Sequence, residues 1–337
     1  MGPVLDVLVV GAGQAGLAVG RALADRGADL LLVDAAGAVG DSWRARWDSL
    51  RLFTSAEHDA LPGRAFPAPR GSYPGKDAVA GYLAAYAQGL PVRTGTPVHR
   101  LAPAPGGFAA ETPTGTVRAR QVVVATGPFQ VPRVPALAAG LDVPHLHTGA
   151  YRRPSDVPGR RVLVVGAANS GLQVALELAR AGRVVTVAVG RRLRRVPQRP
   201  LGRDLYWWLT RTGLVTRPSD APGPRIPDVV VGPSWRALGR ELALRGRAVA
   251  ARGRVVELAD GPVEADAVVW ATGWRTEHGW FDVPGAVRGG RLVHERGAVP
   301  VPGLHVLGLP GMRMRGSALL GFVGHDAAWV ARRVLAR

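Results

Sequence analysis

The chain contains no cysteine, which removes disulfide staples, thiolate metal ligands and any Cys-x-x-Cys redox pair. Redox chemistry, if there is any, must be carried by a bound cofactor. Lysine is nearly absent as well: Lys76 is the only one, so the formal charge of +18 comes almost wholly from arginine. Those arginines are scattered among Ala, Gly and Pro, and only Arg191 to Arg199 forms a dense run. Compositional bias accounts for the charge, and no nucleic-acid partner is expected. No apolar run approaches the roughly 18 residues of a membrane span. The opening Met1-Gly2-Pro3-Val4-Leu5-Asp6 lacks a basic signal-peptide region, so the expectation is a cytoplasmic protein without an integral membrane segment. His147 has only His145 close by in sequence, two positions before it, and no metal site is expected.

A chain of 337 residues with 47% hydrophobic and 20% charged residues has ordinary globular composition and suits two domains, each burying its own core. The stretch that organises it runs from Val4 to Asp34. An apolar strand (Val7 to Val10) enters the turn Gly11-Ala12-Gly13-Gln14-Ala15-Gly16, and Leu17, Val19, Ala22 and Leu23 follow at helical spacing. A second apolar strand, Leu30 to Val33, ends in Asp34, 18 residues after Gly16. This is the pattern of a dinucleotide-binding βαβ unit. Gly11 allows the sharp turn, Gly13 lets the backbone approach a pyrophosphate, and Gly16 lets helix and sheet pack closely. The diphosphate would sit on the free N–H groups of the helix start. Asp34 accepts from a ribose and repels a 2′-phosphate, favouring FAD or NAD over NADP.

Further on, Trp43 and Trp47 are spaced to share a helical face, either as core or as walls around a flat ring. Residues 50 to 75 read as a long ordered loop. A helix with Val79, Tyr82, Leu83 and Tyr86 on one face comes next, then a small antiparallel meander at 97–101, 108–112 and 116–120. The buried strand Gln121 to Ala125 closes with Ala-Thr-Gly, and so does Ala267 to Ala271. A second βαβ unit runs from Arg161 to Arg192, with the turn Gly166-Ala167-Ala168-Asn169-Ser170-Gly171 and a helix from Leu172 to Ala181. Its middle glycine is replaced by Ala168, whose methyl group points along the pyrophosphate path. Gly190-Arg191-Arg192 is read at the place of Asp34, suiting a 2′-phosphate and so NADPH. Two such units of opposite ribose preference describe a protein holding FAD and NADPH together, passing hydride from nicotinamide to flavin.

The order GAGQAGL, GDSWRARWDSLRLFT, ATGPFQVPRVP, His147 to Tyr151 as His-x-x-x-Tyr, GAANSG, ATGW and Arg315-Gly316-Ser317-Ala318-Leu319-Leu320-Gly321 resembles the single-component, class B FAD- and NADPH-dependent flavin monooxygenases. The CzcO-like and YUCCA-like groups are the most similar, and the resemblance spans roughly Val4 to Val334. It implies an α/β fold of two Rossmann-like dinucleotide-binding domains of the three-layer ββα type. The NADP domain (152–275) would be inserted into an FAD domain made of 1–151 and 276–337. It also implies insertion of one atom of O2 into a small organic substrate through a flavin C4a-hydroperoxide. For cofactor contacts it adds Ala35, Gly40, Ser42, Trp43, Thr126, Gly127, Thr272, Gly273, Gly308 and Leu320 to the residues of the two turns. The flavin carries the chemistry, and the catalytic side-chain candidates are Trp43, Thr54 and Lys76.

Three departures qualify the likeness. Leu141-Asp142-Val143 stands in place of Phe-x-Gly, Ala168 in place of glycine, and Gly311 in place of a tryptophan, the last expected to open space near the flavin. Ser317 is the expected N-cap of a C-terminal helix reaching about Val334. The alternatives are a reductase or oxidase without productive oxygenation, and an FAD-binding sensor. Substrate identity is not legible, nor is oligomeric state, for which a homodimer is allowed.

Overall fold

The computed structural model describes residues 3–191, 194–220 and 229–336. Its first sheet is built on β1 (Val4–Val10), whose residues from Val7 on are buried. β1 lies between β2 (Leu30–Val33) and β6 (Gly115–Val124), parallel to both, in the register Val10↔Val33 and Val10↔Val124. β3 (Val92–Arg93) extends one side, and Leu304–Val306 adds to the C-terminal half of β6 on the other. With these strands parallel, their carboxyl ends open onto one edge, where such sheets bind ligands.

β4 (Arg100–Ala104) and β5 (Gly107–Thr112) form the meander with the first half of β6. The sequence suggests two strands, 116–120 and 121–125, but the structure holds one, Gly115–Val124. No breaker separates Arg120 from Gln121. The change from mixed to continuous apolar residues marks the point where the strand passes from one covered face to two.

A second five-stranded parallel sheet has the order Ala243–Arg245, Val184–Ala188, Arg161–Val165, Ala267–Trp270, His145–His147. A second antiparallel meander (Ala248–Arg252, Val255–Leu258, Gly261–Glu264) precedes its strand Ala267–Trp270, as the first precedes the buried half of β6. The fold is therefore α/β with two like halves. The chain joins the second sheet at His145, ahead of residue 152, where the inserted domain is expected from sequence to begin. It returns to the first sheet through Phe281, bridged to Leu101 of β4, and then as a strand at Leu304.

The helices are α1 (Gln14–Ala24), α2 (Asp41–Arg44), α3 (Lys76–Tyr86), α4 (Asn169–Arg180), α5 (Leu205–Arg211), α6 (Trp235–Glu241) and α7 (Val323–Leu335). α3 buries Val79, Tyr82, Leu83 and Tyr86 as its spacing predicts. α2 is only four residues, so Trp47 lies beyond it and joins the core of the second half rather than sharing a helix face with Trp43. The C-terminal helix starts at Val323, with Phe322 at its N-cap. Ser317 instead accepts from the Arg313 and Met314 amides at 3.1 and 3.0 Å and donates to the Met314 carbonyl, closing the turn ahead of the helix. No helix among the described residues is long and apolar enough to cross a membrane.

Candidate functional site

The two glycine turns have the same construction. Gly11 sits at φ +105°, and a Cβ there would lie 2.6 Å from the Ala125 carbonyl oxygen. Gly166 sits at φ +114°, where a Cβ would strike the Ala271 carbonyl. Gly16 packs on the carbonyl of Gly11, and Gly171 on that of Gly166, too close in both cases for any side chain. This explains the repeated Ala-Thr-Gly. The alanine ending the neighbouring strand is the ceiling of the turn, and its carbonyl leaves room only for a residue without Cβ that tolerates a left-handed φ.

Gly13 is different. Its φ of −76° and ψ of −172° suit any residue, and a Cβ there would meet nothing within 4 Å. Ala168 holds the same place in the second turn with φ −78° and ψ −177°. Neither position needs glycine to fold, so the demand at Gly13 comes from what lies beyond the protein. α1 and α4 both begin without a side-chain cap and without an acid in the first turn. Their free N–H groups and dipoles are left for an anion.

Both helix starts open into one cavity of about 700 Å³. From the first unit it is lined by Gly11, Gly13, Gln14, Ala15, Asp34 and Ala35, and from the second by Asn169, Ser170 and Gln173. Ser42, Trp43, Thr54, Thr126, Gly127, Gly308 and Leu320 also face it. Asp34 is fixed by two backbone donors, Ala12 N at 2.6 Å and Ala36 N at 2.8 Å, leaving further lone pairs for a ribose. The Trp43 Nε1–H donates to Gln14 Oε1 at 3.3 Å. Trp47, also in the wall, is buried with its Nε1–H unpartnered, so the lining holds a spare donor. These features fit an adenine dinucleotide with a flat ring system.

Several expected contacts lie elsewhere. Gly40 sits at φ +92°, and a Cβ there would lie 2.7 Å from the Ala80 carbonyl oxygen, so it packs α2 against α3 and is not part of the lining. Gly16, Gly166, Ala168 and Gly171 shape the turns from outside the lining. Thr272 donates to the Arg133 carbonyl, and the Gly273 carbonyl accepts from Arg133 N at 3.0 Å and pairs with His147 Nε2 at 2.9 Å. These two residues tie the crossing between the halves. Lys76 turns away from the cavity toward Asp48 at 3.5 Å and the Arg44 carbonyl. Gly311, at φ +65°, is also outside the lining, next to Pro310, which is in it.

The strand register corrects the ribose comparison. Val10↔Val33 corresponds to Val165↔Ala188, so Val189, not Gly190 or the arginines, is the counterpart of Asp34. The repelling acid is replaced by an apolar residue, with exposed Arg191 two positions further on. Arg192 lies outside the described residues.

The cavity also gathers residues that no sequence period announces. The Arg46 guanidinium lies over the rings of Phe129 and Trp274, 5.3 and 5.2 Å from their centres, while the two rings meet edge to face at 6.2 Å, a three-way cation–π cluster between the halves. Burial, then the Arg152 charge, lowers its pKa. Behind it, His147 stacks edge-on to Trp274 at 4.9 Å. Its Nδ1 accepts from Gly149 N at 3.0 Å, assigning the Nε2–H to the Gly273 carbonyl. Burial lowers the His147 pKa most, the Gly273 bond opposes it, and the Arg46 charge adds a smaller lowering. Tyr151 is fully buried and donates to Glu177 on α4 at 2.9 Å. The His-x-x-x-Tyr element is thus a strap holding the second half together.

Comparison with known proteins agrees with this geometry. A model of the pyridine nucleotide-disulphide oxidoreductase family matches residues 8–202. The chain is 38% identical to a CzcO-like oxidoreductase of Geobacillus kaustophilus, over 98% of this chain and 99% of that protein. It is 34% identical to the indole-3-pyruvate monooxygenase YUCCA1 of Oryza sativa subsp. japonica, over 59% of this chain and 51% of the relative. The flavin-containing monooxygenase of Stenotrophomonas maltophilia superposes with a TM-score of 0.85 at 28% identity, over 99% of each chain. With no cysteine, the chain lacks the thiols that the family's disulphide chemistry requires. It belongs to the pyridine nucleotide-disulphide oxidoreductase family, in its class B flavin-monooxygenase branch, and is an oxidoreductase.

Proposed function

We propose that the protein is an NADPH-dependent flavin monooxygenase, placing one atom of O2 in a small organic substrate and releasing the other as water. One observation carries the reading: a single cavity is lined both by Gly13-Gln14-Ala15 and by Asn169-Ser170, so the two dinucleotides would meet in the same space. When bound, FAD supplies the two-electron chemistry, accepting hydride from NADPH and delivering electrons to O2.

The chain's own residues bind and shield. The N–H groups opening α1 would take the FAD diphosphate, and Asp34 its ribose. The start of α4 would take the second diphosphate. Beyond it, Val189 removes the repulsion that Asp34 exerts in the first unit, and Arg191 with Arg192 would receive a 2′-phosphate. Trp43, Trp47, Phe53 and Leu320 in the cavity wall exclude water, which limits loss of electrons to free peroxide. Arg46, stacked over both Phe129 and Trp274, would tie the two halves together beside the cavity.

The test is a visible spectrum of the purified protein followed through anaerobic NADPH addition and then air. A yellow protein bleached by NADPH and recovering on exposure to oxygen is expected. A protein that takes up no FAD, or one whose FAD is untouched by NADPH, overturns the reading. Stoichiometric hydrogen peroxide with every candidate substrate would move it to an oxidase.

A further inference from the structure

A monooxygenase consumes a proton. In the balance substrate + O2 + NADPH + H⁺ → oxygenated substrate + H2O + NADP⁺, hydride and substrate supply the four electrons. The hydride and one solvent proton become the hydrogens of the water. A site walled by tryptophans therefore needs a way in for that proton, a need that rests on the monooxygenase function proposed above.

One titratable group near the cavity is unused so far. Asp59 is fully buried. Its Oδ1 shares a hydrogen bond with the hydroxyl of Thr54, and its Oδ2 has no partner. Thr54, itself buried, faces the cavity. On the far side, the residues after Asp59 line a separate outer groove of about 390 Å³, with Ala60 and Leu61 on one bank and His325 and Arg332 on the other. One segment walls both spaces: Leu320 and Val323 face the cavity, whereas Gly321 and Gly324 face the groove. Asp59 packs against that wall. A Cβ on Gly321 would lie 3.1 Å from its Cα.

We propose that Asp59 and Thr54 form a proton relay from the outer groove into the cavity. The Thr54 hydroxyl gives its proton to the reacting oxygen and takes the Asp59 proton in the same movement. Asp59 is then reprotonated from water in the groove, so each turnover moves one proton and leaves both side chains unchanged. A carboxyl without an ion pair in this setting is suited to passing a proton near neutral pH. Burial first pushes its pKa up to about 7, with Asp204 and Glu57 adding to the rise and the Thr54 bond opposing it. The other groups facing it are the Tyr82 and Tyr206 hydroxyls, both kept protonated by burial, and the adjacent His58, whose Nε2 is buried without a partner. Asp326, across the wall on α7, is tied to Arg313 at 2.8 Å.

The first arm of the test needs no turnover. In the FAD-reconstituted protein labelled with 13C-aspartate, infrared titration should show a carboxylic-acid C=O band that fades as pH rises through about 7 and is missing in Asp59→Asn. In the second arm, Thr54→Val keeps the buried acid but breaks the link. Product formation in air, relative to anaerobic bleaching of the same sample by NADPH, should fall on the order of 10²-fold, the usual weight of a positioned proton donor. Thr54→Ser should restore it and its pH dependence. An Asp59 already ionised at pH 5, or Thr54→Val equal to the parent in that ratio, overturns the relay. Absence of bleaching by NADPH in the parent protein would instead refute the underlying function.

Discussion

Gly11 and Gly13 are two residues apart, yet replacing each by alanine should have opposite consequences. Gly11→Ala forces a side chain into φ +105° with its Cβ 2.6 Å from the Ala125 carbonyl. The left-handed conformation costs about 1–2 kcal/mol and the overpacking about 1–3 kcal/mol, so the FAD-free protein should lose about 2–5 kcal/mol. Gly13→Ala meets no atom within 4 Å and suits an extended φ. By restricting the unfolded chain it should stabilise the FAD-free protein by about 0.4–1 kcal/mol. Its methyl group, however, occupies the path of the diphosphate. If the same overpacking cost of about 1–3 kcal/mol falls on the complex, FAD binding weakens roughly 5- to 150-fold. Urea unfolding of the FAD-free variants and FAD fluorescence titration separate the two effects. A Gly13→Ala protein that binds FAD as the parent does, or unfolds as early as Gly11→Ala, would show that the turn is not the diphosphate seat. The reverse exchange, Ala168→Gly, should leave NADPH binding unchanged or tighter at a small cost in stability; a large loss of affinity would mean that the second turn holds its ligand differently.

Other outcomes follow from the same geometry. Asp34→Ala should weaken FAD retention and also destabilise the FAD-free protein by about 1–3 kcal/mol, because the Ala12 and Ala36 amides lose their acceptor; unchanged urea midpoints would refute the second half. Arg191→Ala together with Arg192→Ala should lower the preference for NADPH over NADH, and an unaltered ratio of the two kcat/KM values would remove the 2′-phosphate from this turn. His147, its pKa lowered chiefly by burial, binds a proton less readily folded than unfolded. Its contribution is complete above the unfolded value of about 6.5 and is lost as pH falls through the lowered folded one. His147→Gln should therefore show a flatter urea midpoint between pH 7.5 and pH 5 than the parent, and parallel profiles would contradict this.

What can be read from sequence is local. Strand, glycine turn and helix are contiguous, so both βαβ units and the strand end at Val33 follow from spacing alone. The paired Ala-Thr-Gly segments are visible as a repeat, but not what they do, because the Gly11–Ala125 and Gly166–Ala271 contacts join residues more than a hundred positions apart. Spacing misplaces the counterpart of Asp34 by one residue because only strand register identifies Val189. Arg46, Phe129 and Trp274 meet only when the halves come together, and Asp59 differs from a surface carboxylate only by what is folded over it. Ser317 has a capping residue's identity, but the helix it is matched to begins at Val323.

The two passages of the chain between the halves do not run apart. Val131–Pro132 on the way out pairs antiparallel with Trp274–Arg275 on the way back. A single cord would let one lobe swivel about any direction. Two cords laced side by side resist twisting and bend along one line, like a door on its jamb. Any opening that admits a nicotinamide should then swing about that line, with the cluster of Arg46, Phe129 and Trp274 serving as the latch.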